Sequence, residues 1–221
     1  MIPPNKFIPI AEATGLIVPI GEWVIHEACK QLRLWIEQGH TDLVMAINLS
    51  ARQFFQKSLL ETIQRELDET GVPSANLEFE LTESMMMNNV EETIATLNKM
   101  KELGLQLSID DFGTGYSSLS YLKKFPIHKL KIDKSFVDGL PHDSDDLAIV
   151  QAIIGISHAL QLKVIAEGVE TIEQYDLLRS FDCNEIQGYY FSKPLPAESV
   201  RLSHIGANVV KQIAEDLPTQ I

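Results

Sequence analysis

From residue 22 to about residue 200 the chain alternates between helical and extended hydrophobic periods, and its extended runs are apolar almost throughout. Helical spacing of Ile25, Ala28, Cys29, Leu32, Trp35 and Ile36 predicts a helix over 22–38, which Gly39 ends. Residues 43–49 read as a short buried strand. Ser58 with Glu61 has the spacing of a capping box, with Leu60, Ile63 and Leu67 following at helical intervals until Gly71 and Pro73. A strand at 77–81, a helix at 90–103 closed by Gly104 and a strand at 105–109 come next. The pattern repeats as strand 129–132, helix 145–160, strand 162–166, helix 171–179 and strand 185–189, with a last helix starting at Ala197. Near-continuous apolar strands alternating with helices specify an α/β fold, a parallel sheet covered by helices.

The 221 residues suit a single domain with an ordinary soluble balance, 45% apolar and 22% charged. The net charge of −13 argues against a partner that is a nucleic-acid polymer or an anionic membrane, since attraction to phosphate drives such binding. It does not exclude a small anionic ligand held through metal ions. The only cysteines, Cys29 and Cys183, lie far apart outside any C-x-x-C spacing, which suits a reducing, cytoplasmic setting. No apolar run approaches the roughly 20 residues of a membrane helix.

Each expected strand ends in a polar or ionisable residue. In order these are Asn48; Glu80 and Glu83; Asp110 and Asp111; Lys131 and Asp133; Glu167 and Glu170; and Gln187. The C-terminal edge of the strands is where parallel α/β folds build sites. A closed barrel gathers all its strand ends around one mouth, whereas an open sheet favours only a switch point, so a contribution from every strand favours a barrel. Six strands leave an eight-stranded barrel two short. Any one of these residues is equally at home in a turn or a helix cap. As a set they are harder to explain that way. Asp110 and Asp111 are tandem carboxylates, which repel unless a cation lies between them. With Glu80, Glu167 and Asn48 they make an oxygen-rich donor set suited to Mg²⁺ or Mn²⁺ rather than zinc. The stretch Phe112-Gly113-Thr114-Gly115-Tyr116-Ser117-Ser118 reads as a gating loop beside that mouth, or as a capping loop.

Seven blocks in order resemble the EAL family of cyclic di-GMP phosphodiesterases over about residues 3–200. They are the stretch Phe7 to Ile17, Asn48-Leu49-Ser50, Glu80-Leu81-Thr82-Glu83, Asp110 to Gly115, Lys131-Ile132-Asp133, Ala166-Glu167-Gly168-Val169-Glu170 and Gln187-Gly188-Tyr189. The resemblance implies a TIM-type (β/α)8 barrel and hydrolysis of cyclic di-GMP to linear pGpG with two Mg²⁺ or Mn²⁺ ions. It implies that Asn48, Glu80, Asp110, Asp111 and Glu167 are metal ligands and that Lys131 orients the attacking water. Glu167, Glu170 and Gln187 take catalytic roles with Lys131, and Asp133 and Gln187 contact substrate. Glu83 anchors the loop after Asp111, a loop that couples the site to a homodimer. Beside two cations, Lys131 is expected to have its pKa lowered; the alternative is an exposed strand-end lysine like Lys129.

The sequence departs from the family in one respect: it contains no Glu-Ala-Leu triplet, which in the family supplies another metal ligand and is followed by a phosphate-binding arginine. The expectation is therefore an incomplete barrel lacking about the first two strands, with Met1 either internal to a longer protein or a true start. The domain is expected over 1–203, followed by a tail at 204–221. Sensor or GGDEF domains are expected upstream in a parent protein. The alternative to a phosphodiesterase is a non-catalytic module that binds cyclic di-GMP; a fragment that does not fold alone is the third possibility.

Overall fold

The computed structural model describes residues 2–87, 89–115 and 119–200. Two helices come first, α1 (Pro4–Thr14) and α2 (Ile17–Glu37). Then follow β1 (Met45–Asn48), α3 (Ala51–Phe54), α4 (Leu59–Thr70), β2 (Leu77–Thr82), α5 (Glu83–Met86), α6 (Val90–Glu102) and β3 (Gln106–Phe112). The second half runs α7 (Leu119–Leu122), β4 (Lys129–Ile132), α8 (Lys134–Val137), α9 (Ser144–Ala159), β5 (Lys163–Ala166), α10 (Ile172–Ser180) and β6 (Glu185–Ile186). No helix among the described residues is long and apolar enough to cross a membrane.

All the strands pair in parallel, in the sequence order β1-β2-β3-β4-β5-β6. A doubly wound sheet reverses its order at a switch point. This one never does, so the strands curl as consecutive staves of an incomplete (β/α)8-type barrel, with β1 and β6 at its edges.

The two faces of the strands differ. On β2, Leu77, Phe79 and Leu81 are fully buried in the apolar core, while Glu78 and Glu80 alternate with them. The same parity gives Leu107 and Ile109 against Ser108 on β3, Leu130 and Ile132 against Lys129 and Lys131 on β4, and Val164 and Ala166 against Ile165 on β5. The apolar set packs outward on the helices, meeting Ile25, Cys29 and Leu32 of α2, Ile63 of α4, Leu97 and Met100 of α6, Ile153 and Ile154 of α9 and Leu178 of α10. Burying each such Leu, Ile or Phe contributes roughly 1.5–3 kcal/mol. The core is thus a layer between sheet and helices, and the inner face of the sheet carries mainly polar side chains, with Ile165 the apolar exception named here.

Several sequence expectations need correction. Ser58 makes no capping box: its backbone is already helical (φ −84°, ψ −4°), so its hydroxyl does not reach the amide three residues on. The capping boxes are instead Ser50 with Gln53 and Thr171 with Gln174. β3 extends through Asp110 and Asp111 to Phe112, and β6 stops at Ile186. Beyond it, Gly188 lies so close to the Val169 backbone that an added Cβ would stand 2.0 Å from the Val169 carbonyl oxygen. The helix expected from Ala197 is a 3-10 turn, Ala197–Ser199. Residues 116–118 of the expected gating loop and the tail at 204–221 lie outside the described residues.

Candidate active site

At the C-terminal end of the sheet, Lys131 gathers three carboxylates. Its Nζ lies 2.7 Å from Glu80 Oε1, 3.2 Å from Asp110 Oδ2 and 2.6 Å from Glu167 Oε1. These residues come from β4, β2, β3 and the residue after β5, and Lys131 is only 4% exposed. It is therefore not the exposed strand-end lysine of the alternative, and neither is Lys129. One layer below, Lys129 Nζ lies 3.0 Å from Glu78 Oε2 and 2.6 Å from Glu185 Oε2, joining β2, β4 and β6. Two lysine-centred layers therefore stack inside the barrel, two residues apart along β4. Between them Ser108 is fully buried, its Oγ without a hydrogen-bond partner among the described residues.

The electrostatics follow from this packing. Burial alone would lower the Lys131 pKa, but Glu80, Asp110 and Glu167 outweigh it and hold the ammonium above its ordinary range. This direction is set by the chain's own three carboxylates; the lowering expected beside two cations belongs to the ion-loaded site. Burial also raises Glu80 and Glu167; Lys131 pulls each back down, and their carboxylate neighbours push up again. Asp111 is raised by burial first, then by Asp110 and Asp133.

Strict alternation would send Asp110 and Asp111 to opposite faces. A register shift between Ile109 and Phe112, with Asp111 at φ +55°, lets both reach the same mouth. Asp111 N–H also donates to Asp110 Oδ1 at 3.0 Å. Gly113, at φ +100°, then turns its N–H onto Glu83 Oε2 at 2.8 Å, and Glu83 is 2% exposed.

The remaining candidates lie around this centre. Asn48 ends β1 in register with Glu80 and is exposed. Asp133 caps α8, accepting from the Ser135 N–H at 3.0 Å and from its hydroxyl, with its carboxylate beside Asp111. Glu170 is further out, paired with Lys134 Nζ at 2.5 Å. Gln187 is tied by its backbone, donating to the Ala166 carbonyl at 2.8 Å and accepting from Val169 N–H at 3.1 Å. The Lys129 layer was missed from sequence because Glu78 and Glu185 lie 51 and 56 residues from Lys129; only strand parity could have grouped them.

Glu80, Asp110, Asp111 and Glu167 against one lysine leave the mouth strongly acidic and all-oxygen. Such a set fits hard divalent cations of the Mg²⁺ or Mn²⁺ type and would repel a bare phosphate.

Comparison with known proteins identifies the family and the fold. The EAL domain family matches residues 1–194. The chain is 47% identical over 203 residues to the bifunctional diguanylate cyclase/cyclic di-GMP phosphodiesterase MucR of Pseudomonas aeruginosa, covering 92% of this chain and 30% of that protein. It is 44% identical over 196 residues to the cyclic di-GMP phosphodiesterase NbdA of the same organism, covering 89% of this chain and 25% of that protein. The chain thus spans less than a third of the length of these curated relatives. Among solved structures, the PaMucR phosphodiesterase in complex with c-di-GMP superposes with a TM-score of 0.87 at 48% identity, over 89% of this chain and 80% of that one.

Proposed function

The chain belongs to the EAL domain family, and from that membership we propose that it hydrolyses cyclic di-GMP to linear pGpG with the help of two divalent cations, Mg²⁺ or Mn²⁺. The observation that carries this is the convergence of Glu80, Asp110 and Glu167 on Lys131 at the barrel mouth. Asn48, Glu80, Asp110, Asp111 and Glu167 would hold the ions, which when bound supply positive charge to the phosphodiester and acidify water.

The chain's own residues do the rest. Lys131 ties strands β2, β3 and β4 and the end of β5 into one geometry, so the donors are fixed before substrate arrives. By the same membership its ammonium would orient the attacking water. Glu83 holds the start of the loop after Asp111 through Gly113. Glu170, Gln187 and Asp133, on the rim, orient substrate and water. In the net reaction water adds its oxygen to phosphorus, one P–O3′ bond breaks, and a proton is delivered to the released 3′ oxygen. We further place the protein in the cytoplasm, as a homodimer coupled through the Glu83 loop, within a longer protein carrying sensor or GGDEF domains.

The test is incubation of the 221-residue chain with cyclic di-GMP and Mg²⁺ or Mn²⁺, with Glu167→Ala as control. Formation of pGpG that the control abolishes supports the proposal. A second reading is motivated by the lack of a Glu-Ala-Leu triplet in this sequence. It makes the protein a receptor that binds cyclic di-GMP without turnover, and binding without product in this assay would select it.

A further inference from the structure

We propose that His26, Glu66 and Glu69 form a second metal site, of the zinc class, that clamps α2 to α4 in the outer helical layer. One ligand atom from each of the three lies within 4.8 Å of the other two. Glu66 and Glu69 are three residues apart on α4 and so share a face, and His26 reaches that face from α2. The two helices are held against each other by the core contacts of Ile25, Cys29, Leu32, Leu59 and Ile63, so the donors meet on a fixed frame.

Glu66 is the unusual member. It is 4% exposed, and a carboxylate that deep calls for a cationic partner. The protein supplies little: Arg65 Nη2 is 3.4 Å away on an exposed side chain, and His26 Nδ1, 2.7 Å away, carries charge only when protonated. A bound divalent ion would satisfy Glu66 with the imidazole neutral. One imidazole and two carboxylates select zinc over Mg²⁺. At zinc–ligand distances near 2.1 Å, tetrahedral donors stand about 3.4 Å apart. The His26–Glu66 separation therefore opens by well under 1 Å, which the half-exposed imidazole can supply. Glu69 is exposed, which leaves a fourth position to water. A simple His26–Glu66 ion pair would not require Glu69, and that separates the two explanations. The site shares no residue with the barrel mouth.

The experiment is equilibrium dialysis of the 221-residue chain against Zn²⁺ in excess Mg²⁺, with melting temperatures in parallel. The expected result is one zinc retained per chain and a higher melting temperature. His26→Ala should weaken binding about tenfold or more and remove the thermal shift. Glu69→Gln changes an exposed side chain, so it folds normally and should also weaken binding. Asp110→Asn, at the barrel mouth, should retain the zinc. Failure of the wild-type chain to hold zinc, wild-type affinity in both His26→Ala and Glu69→Gln, or loss of zinc in Asp110→Asn would each overturn the proposal.

Discussion

Glu83 and Gly113 are joined by a hydrogen bond of 2.8 Å that crosses from the start of α5 to the first residue after β3, and Glu83 is almost completely buried where it accepts it. An added Cβ at Gly115 would stand 2.6 Å from the other oxygen of the same carboxylate, so residues 113 and 115 both close on Glu83. Glu83→Ala is expected to cost about 1.5–3 kcal/mol of stability by removing the charged acceptor of the Gly113 amide. It should lower turnover of cyclic di-GMP more than it raises KM, because Asp110 and Asp111 beside the loop lose their positioning. Thermal melts and steady-state kinetics on the same preparation check both.

Lys131→Met leaves Glu80, Asp110 and Glu167 facing one another without their ammonium. Removing one partner of a buried ion-pair cluster costs about 3–5 kcal/mol. Urea unfolding in EDTA should show that loss. Adding Mg²⁺ should restore a larger share of stability to the variant than it adds to the wild type, since the ion takes over the missing charge.

Gly188→Ala presses a methyl group into the Val169 backbone. Overpacking of this kind costs about 1–3 kcal/mol. Because the Gln187 backbone bonds both Ala166 and Val169, the change should also displace Gln187 and Glu167. Reduced melting temperature together with reduced affinity for cyclic di-GMP is the expected outcome, measured by calorimetry.

Both thiols are held in the protonated form. Burial pushes Cys29 up to about 11, with the charge of Glu66 adding to it, and burial pushes Cys183 up to about 11 as well. An unfolded thiol titrates near 8.5. The stability that goes with these shifts is fully present below that value and is lost as pH rises toward 11. Native protein at pH 8 should therefore react with a disulfide reagent only as it unfolds. The urea midpoint should fall between pH 8 and pH 10.5 more steeply in the wild type than in a Cys29→Ala, Cys183→Ala double variant.

Much of the fold was legible because short apolar runs alternate with helical periods along the chain. Residues 129–132 form a strand as expected, and their alternation of Lys with Leu or Ile matches an ionic inner and an apolar outer face. The polar strand ends were legible because each run stops at a polar or ionisable residue. Other features depend on geometry that no spacing encodes. α1 begins at Pro4 and carries Pro9 inside it, so its sequence resembles a loop. The helix caps use Gln53 and Gln174 where the expected signal was a glutamate after Ser58. The bulge that brings Asp111 beside Asp110 needs a positive φ that Asp tolerates but does not advertise. His26 and Glu69 come together only because α2 packs on α4.

The parity of the strands has a consequence for how this protein can change over generations. Leu77, Phe79 and Leu81 face the helices while Glu78 and Glu80 face the barrel axis, so scaffold and chemistry are written on interleaved letters of one short word. Point substitutions can revise either text without editing the other. An insertion or deletion of one residue inside a strand exchanges them, placing carboxylates in oil and leucines at the mouth. Lineages descended from such a chain should therefore tolerate many substitutions in these strands, and their length changes should fall in the loops between them.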